Sequence, residues 1–194
     1  MQKIILASQS PRRKQLLEWA EVPFDVLVKN TGENFPEGLA IDDVPVYIAR
    51  NKALAIQQLM TESDKAPVIL AADTIVVLDN AVIGKPKDRE DAIAILLALS
   101  GRLHRVITGV VLLHAKGETA FADITEVVFH PITKEQVEFY VDKYKPYDKA
   151  GAYAIQEWIG VVGIKNIKGD FYNVMGLPVS RVVQELERIN NGPR

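Results

Sequence analysis

The chain has 194 residues, 48% hydrophobic and 25% charged, and its 23 basic and 25 acidic side chains give a net charge of -2. This composition excludes a disordered or collagen-like chain and offers no basic field for a nucleic acid polymer, so any anion must be bound by a local cluster. Cysteine is absent, which excludes disulfides and thiolate chemistry, and no apolar run approaches the roughly 20 residues of a membrane span, so we expect a cytoplasmic protein without membrane contact.

The first predicted elements are a strand at Lys3–Ala7 and a helix close behind it. Ser10 suits the N-cap and Pro11 the first helical position. Three consecutive cations follow in the first turn, namely Arg12, Arg13 and Lys14. Cations at a helix N-terminus are unfavourable by a few tenths of a kcal/mol each unless an anion binds there. The pattern therefore predicts phosphate binding, and the alternative is a solvated basic patch.

The next segment combines a strand, a loop and a helix. Alternation predicts a strand at Glu21–Lys29, and the Gly- and Pro-containing stretch 30–39, which includes Glu33, reads as a loop. From Asp42 a helix is predicted, with an apolar stripe formed by Val44, Tyr47, Ile48, Ala55, Ile56 and Leu59. Lys52 lies on this helix, where the ordinary interpretation is a solvated surface residue.

The stretch from Val68 to Pro86 is the most informative of the chain. Its apolar residues predict a buried strand that is interrupted by Asp73. A carboxylate is costly to bury unless a cation or hydrogen bonds compensate it. A turn at Asp79 and a second strand would carry Lys85, held by its Gly and Pro neighbours, towards the same anionic ligand as Asp73. The alternative is a capping Asp73 and a solvated Lys85.

The second half of the chain alternates helices, strands and small-residue loops. A helix over 88–99 is predicted to pack through Ile93, Leu96, Leu97 and Leu99. Strands at 105–115 and 119–131 should form a hairpin, and Thr133 with Gln136 is a capping box that opens another helix.

The C-terminal part is predicted as a loop over 147–156, a strand at Ile159–Ile167, a Gly-bounded loop at 169–178 and a final helix at 178–189. The histidines at 104, 114 and 130 show no metal-ligand spacing. Because no repeat, linker or low-complexity segment occurs, we expect one domain over residues 1–194, with room for two lobes around a cleft.

Taken together, six motifs of this chain resemble the Maf family of nucleoside triphosphate pyrophosphatases. They occur in the family's order from Ile4 to about Ile189: Ser8-x-Ser10-Pro11-Arg12-Arg13, Ala72-Asp73-Thr74, Gly84-Lys85-Pro86, Ser100-Gly101-Arg102-x-His104, Asp148-Lys149-Ala150-Gly151-Ala152-Tyr153-x-Ile155-Gln156 and Gly176-Leu177-Pro178. Two positions depart from the family pattern. Thr31-Gly32-Glu33 stands where Val-Asp-Glu is usual, and Ala154 where Gly is frequent.

The resemblance implies a fold, a reaction and a set of site residues. The fold would be α/β and like that of the inosine triphosphate pyrophosphatases (Maf/Ham1), a long mixed sheet flanked by helices with a central cleft, commonly in a homodimer. The reaction would be hydrolysis of a nucleoside triphosphate to the monophosphate and pyrophosphate with a divalent metal, Mg²⁺ or Mn²⁺. The family's catalytic acid or base falls on Asp73, with Glu33 as a further metal ligand. The phosphate-binding residues fall on Ser8, Arg13, Lys52 and Lys85.

Base preference is implied by three more positions. Arg12, Thr74 and Gln156 agree with the subgroup that acts on dTTP and UTP, whereas the subgroup acting on methylated guanosine triphosphate has Trp, Gln and Glu there. A carboxamide can pair with O4 and N3–H of thymine or uracil. Two alternatives stay open at this point: the same fold acting on a modified purine triphosphate, and a nucleotide-binding regulator of septum formation.

Overall fold

The computed structural model describes residues 3–60 and 67–191, which form seven strands and seven α-helices. The strands are β1 Ile4–Leu6, β2 Phe24–Val26, β3 Ile69–Leu78, β4 Ala81–Ile83, β5 Leu103–His114, β6 Gly117–Phe129 and β7 Ile164–Lys168. The helices are α1 Pro11–Trp19, α2 Val44–Gln57, α3 Arg89–Leu99, α4 Lys134–Tyr144, α5 Trp158–Gly163, α6 Phe171–Met175 and α7 Val179–Asn191. None of the helices in these ranges has the length and hydropathy that a membrane span requires.

The strands form one mixed sheet in the order β2-β1-β3-β5-β6-β7, with β4 paired to β3. Strand β1 runs parallel to both β2 and β3, and the register places Ile5 opposite Asp25 and Ile69. Strands β4 and β7 run antiparallel to their neighbours β3 and β6. A mixed sheet with helices on an alternating chain confirms the predicted α/β class.

The chain divides into two compact units, each built from separate segments. Of the described residues, the first unit comprises 3–60, 67–73, 108–123 and 176–191, and the second comprises 74–107 and 124–175. Three of the four boundaries fall inside β3, β5 and β6, so these long strands contribute to both units, and the fourth follows α6.

Small side chains let helix α2 approach the sheet within the first unit. Ala49 and Ala53 of α2 are fully buried in a core with Ala7, Ala71 and Val111. At Gly109 of β5, an added Cβ would lie 2.2 Å from the backbone nitrogen of Val46, so only glycine fits. Because α2 packs closely against the strands, Lys52 lies next to Asp73, the last β3 residue of this unit.

The predicted caps and turns are confirmed. Ser10 occupies the N-cap position of α1 with Pro11 first, but its side chain makes no capping hydrogen bond. Asp88 caps α3 by accepting from Asp91 N–H, and Thr133 forms the capping box with Gln136. Asp79 and Asn80 both have positive φ and join β3 to β4 as a two-residue turn.

Several boundaries were wrong. The strand predicted at Ile159–Ile167 is helical in its first half, α5, because Gly160 N–H bonds to Glu157 O and an added Cβ on Gly160 would lie 1.7 Å from Ile155 O. The loop predicted at 169–178 contains α6. Each of the two predicted apolar stripes includes one exposed residue. Leu59 follows the end of α2, and Leu97 is exposed on α3.

Candidate functional site

Two carboxylates and an ammonium form the centre of a polar cluster in the first unit. Lys52 Nζ lies 2.6 Å from Asp73 Oδ1 and 3.3 Å from Glu33 Oε1. Helix α2 supplies the lysine, β3 the aspartate and the loop before α2 the glutamate. Asp73 is 8% exposed, and its contact with the ammonium of Lys52 compensates its burial. Lys52 is thus a site candidate and not an ordinary surface residue of its helix.

Arg13 forms the second part of this cluster, at the start of α1. Its guanidinium is buried, Nε donates to Gly176 O at 2.7 Å, and Nη1 donates to Ser8 Oγ at 3.1 Å. Ser8 Oγ also accepts from Ser10 N–H at 3.3 Å. The strand-to-helix turn and the chain entering α7 therefore hold this arginine from two sides, which excludes the alternative of a solvated basic patch for this residue.

The pKa of Arg13 is affected by its burial and by three charged neighbours. Burial lowers the pKa of Arg13, an effect that the negative charge of Asp73 opposes, while the neighbouring cation Arg12 lowers the pKa further and Glu33 raises it. A guanidinium stays protonated even with such a shift. Five predicted residues, Ser8, Arg13, Glu33, Lys52 and Asp73, are therefore brought together in one unit, with Arg12 beside them.

Strands β3 and β4 pair as the turn at Asp79 predicted, and a shared anionic ligand for Asp73 and Lys85 stays a prediction. The β3–β4 pairing covers only Val76–Leu78 and Ala81–Ile83, so neither residue lies in the paired part. Asp73 contacts Lys52. Lys85 is exposed just after β4. The carbonyl of Gly84 accepts from Gly151 N–H at 3.1 Å, which ties this turn to the segment carrying Gln156.

The second unit carries the other predicted site residues, Thr74, Lys85 and Gln156. Thr74 is half-buried on β3, and Gln156 is exposed between the buried Ile155 and the half-buried Glu157. Gln156 thus presents its carboxamide at the surface of this unit from a segment whose neighbouring residues are packed.

Sequence reasoning assigned no role to four polar residues that hold this segment. Lys149 is 8% exposed, and its Nζ lies 2.8 Å from Asp148 Oδ1 and 3.6 Å from Glu157 Oε1. Tyr140 donates its hydroxyl proton to Glu157 Oε2. The one available signal was a lysine placed among small residues in a loop.

Comparison with known proteins gives matches over nearly the whole chain. Residues 3–189 match the family described as Maf-like protein. A Cytophaga hutchinsonii protein named dTTP/UTP pyrophosphatase is 50% identical over 188 residues, which cover 97% of this chain and 84% of that protein. Proteins of the same name from Porphyromonas gingivalis and Bacteroides thetaiotaomicron are 45% and 44% identical, with 93% and 96% of their lengths covered. All candidate residues fall within the matched range.

Proposed function

Since this chain belongs to the Maf-like protein family, we propose that it is a nucleoside triphosphate pyrophosphatase that hydrolyses dTTP and UTP to the monophosphate and pyrophosphate. Removal of these nucleotides from the pool is the corresponding cellular role. The observation that carries the proposal is the cluster of Arg13, Lys52 and Asp73 in the first unit, which combines two cations with a buried carboxylate. This is the combination that attack of water on a polyphosphate needs.

In the reaction, a water oxygen forms a bond to the α phosphorus, and the bond from that phosphorus to the α–β bridging oxygen breaks. The water proton passes to a base, and pyrophosphate leaves with the bridging oxygen. We assign the base to Asp73, whose carboxylate is held at 2.6 Å by Lys52 Nζ. The ammonium of Lys52 and the guanidinium of Arg13 offset negative charge on the phosphates, and Ser8 can donate its hydroxyl to a phosphate oxygen. Arg12 and Lys85 supply further positive charge.

A divalent cation, Mg²⁺ or Mn²⁺, is a further part of the proposal. No group of three or more His, Asp or Glu side chains suited to a metal occurs among residues 3–60 and 67–191. Magnesium at phosphate sites commonly takes only one or two carboxylates and completes its shell with water and phosphate oxygens. Glu33 and Asp73 fit this requirement, because both already contact one cation, the ammonium of Lys52. When bound there, the metal would gather phosphate oxygens and offset their charge.

Base recognition is assigned to Gln156, with Thr74 and Arg12 as further specificity residues. The exposed carboxamide of Gln156 offers one donor and one acceptor, the complement of O4 and N3–H on thymine and uracil. Cytosine reverses this order, so discrimination against it requires that the amide be held in one orientation. We therefore expect preference for dTTP and UTP over purines, with weaker discrimination against CTP.

Pyrophosphate release in Mg²⁺ from dTTP, UTP, CTP and GTP tests the proposal. The wild type should favour dTTP and UTP, and Gln156→Glu should lose about 1–3 kcal/mol of transition-state binding for dTTP, because a carboxylate has no proton to offer O4. Gln184→Glu, which makes the same charge change on an exposed position of α7, is the matched control and should leave the ranking intact.

Other outcomes separate the alternatives. Preference for a modified purine triphosphate would support pyrophosphate hydrolysis but refute the assignment of Gln156 to recognition of thymine and uracil. Nucleotide binding without pyrophosphate release would favour the regulator of septum formation. A homodimer and a cytoplasmic location complete the proposal, and sedimentation at micromolar concentration tests the former.

A further inference from the structure

A buried lysine holds the two ends of the segment that carries Gln156. The side chain of Lys149 is 10% exposed, and its ammonium lies between Asp148 Oδ1 at 2.8 Å and Glu157 Oε1 at 3.6 Å. Burying an ammonium is costly unless opposite charges accompany it. The pairing therefore links residue 149 to residue 157 across the intervening turn.

A tyrosine on helix α4 extends this link to the middle of the segment. Tyr140 is fully buried, its hydroxyl donates to Glu157 Oε2, and the same oxygen accepts from Ala154 N–H at 3.1 Å. One chain of bonds thus runs from Lys149 through Glu157 and Tyr140 to the backbone at Ala154. We call it the Tyr140 network.

Gln156 lies between the two points that this network holds. Ala154 is held through its N–H and Glu157 through its carboxylate, and Glu157 N–H also donates to Ala154 O at 3.1 Å. Ile155 is buried, and Gly160 packs directly on its carbonyl. The backbone on both sides of Gln156 is therefore fixed, while the Gln156 side chain itself is exposed.

We propose that the Tyr140 network is a positioning device that sets the direction of the Gln156 carboxamide and so determines the discrimination between uracil and cytosine. None of its three members needs to touch the nucleotide. The inference rests on the proposed function, because it concerns how that function distinguishes bases. Uracil and cytosine differ only in the donor and acceptor order that one amide would read, so a loosened amide would accept both.

The test is the ratio of kcat/KM for UTP to kcat/KM for CTP. Tyr140→Phe removes one hydroxyl, and with it the bonds to Glu157 and to Ala154 N–H. We expect the ratio to fall by about three- to tenfold, the worth of roughly one hydrogen bond. Tyr144→Phe is the matched control. This ring stacks on Tyr140 with centroids 5.0 Å apart, but its hydroxyl is not part of the network, and the ratio should not change.

The same substitution in the Gln156→Ala variant distinguishes a positioning role of the network from a general loosening of the fold. In Gln156→Ala, the further change Tyr140→Phe should leave the UTP to CTP ratio where Gln156→Ala alone set it, since the network acts through the amide. If Tyr140→Phe does not fold, Glu157→Gln takes its place, because it removes the charge that Lys149 pairs with.

The inference is overturned if the ratio is unchanged in both Tyr140→Phe and Glu157→Gln, or if the fall persists without the Gln156 amide. A wild-type ratio near one overturns it as well, while leaving hydrolysis of dTTP and UTP intact. Failure of the wild type to release pyrophosphate from dTTP or UTP would instead refute the proposed function.

Discussion

Replacement of Asp73 by asparagine separates the chemical role of this residue from its structural one. The substitution keeps the shape and removes the charge and the proton acceptor. If Asp73 is the base, turnover in excess Mg²⁺ should fall by at least about 10²-fold, or about 2.7 kcal/mol in barrier. Steady-state pyrophosphate release measures this, and turnover within tenfold of the wild type would refute the assignment.

The same variant has a calculable effect on stability. Removing one partner of a fully buried ion pair costs about 3–5 kcal/mol. The Lys52 side chain is 19% exposed and also contacts Glu33 at 3.3 Å, so the charge left behind is partly compensated. We therefore expect about 1–3 kcal/mol of destabilisation, or about 2–12 °C in Tm for a chain of this size.

An exposed aspartate gives the matched control. Asp79 pairs with Arg102 in solvent, with side chains 70% and 45% exposed, so Asp79→Asn should cost less than about 1 kcal/mol and leave turnover unchanged. The Tm of Asp73→Asn should therefore lie clearly below that of Asp79→Asn. An unchanged Tm for Asp73→Asn would contradict the stabilising role of its contact with Lys52.

Two further predictions concern Arg13 and His104. Arg13→Ala should lose about 2–4 kcal/mol in kcat/KM because the guanidinium is desolvated. Lys14→Ala, on the same turn, is the control and should lose less than about 1 kcal/mol. A loss below tenfold for Arg13→Ala at physiological salt would place Arg13 outside the phosphate site. Burial lowers the pKa of His104 from 6.5 to about 4, so the folded state resists its protonation, and about 3 kcal/mol of stability present above pH 6.5 is lost as the pH falls towards 4. His104→Gln, which can still bond Tyr153 Oη, should flatten this part of the urea-unfolding profile relative to the wild type, and an equal slope in both proteins would contradict the assignment.

Local sequence patterns determined much of the fold because the interactions they encode span only a few residues. The capping box at Thr133 and the turn at Asp79 follow from interactions within four positions, and both are confirmed, while Ser10 takes the predicted N-cap position without a side-chain capping bond. Apolar periodicity located the strands and helices for the same reason. It failed at 159–163, where β-branched and apolar residues favour a strand but the close approach of Gly160 to the Ile155 carbonyl forms a helix.

Two members of the candidate cluster, Arg13 and Asp73, were also readable in the sequence, since basic helix starts and buried charge are costly without a ligand or partner. Ser8, Glu33 and Lys52 were assigned to it by the family resemblance alone. Sequence patterns did not show which charged residues contact each other. The contacts of Asp73 with Lys52 and of Arg13 with Gly176 join residues 21 and 163 positions apart. Such pairs depend on how α2 and the start of α7 pack, which local propensity does not encode. The same holds for the Tyr140 network, whose hydroxyl reaches Glu157 only because helix α4 packs beside that segment.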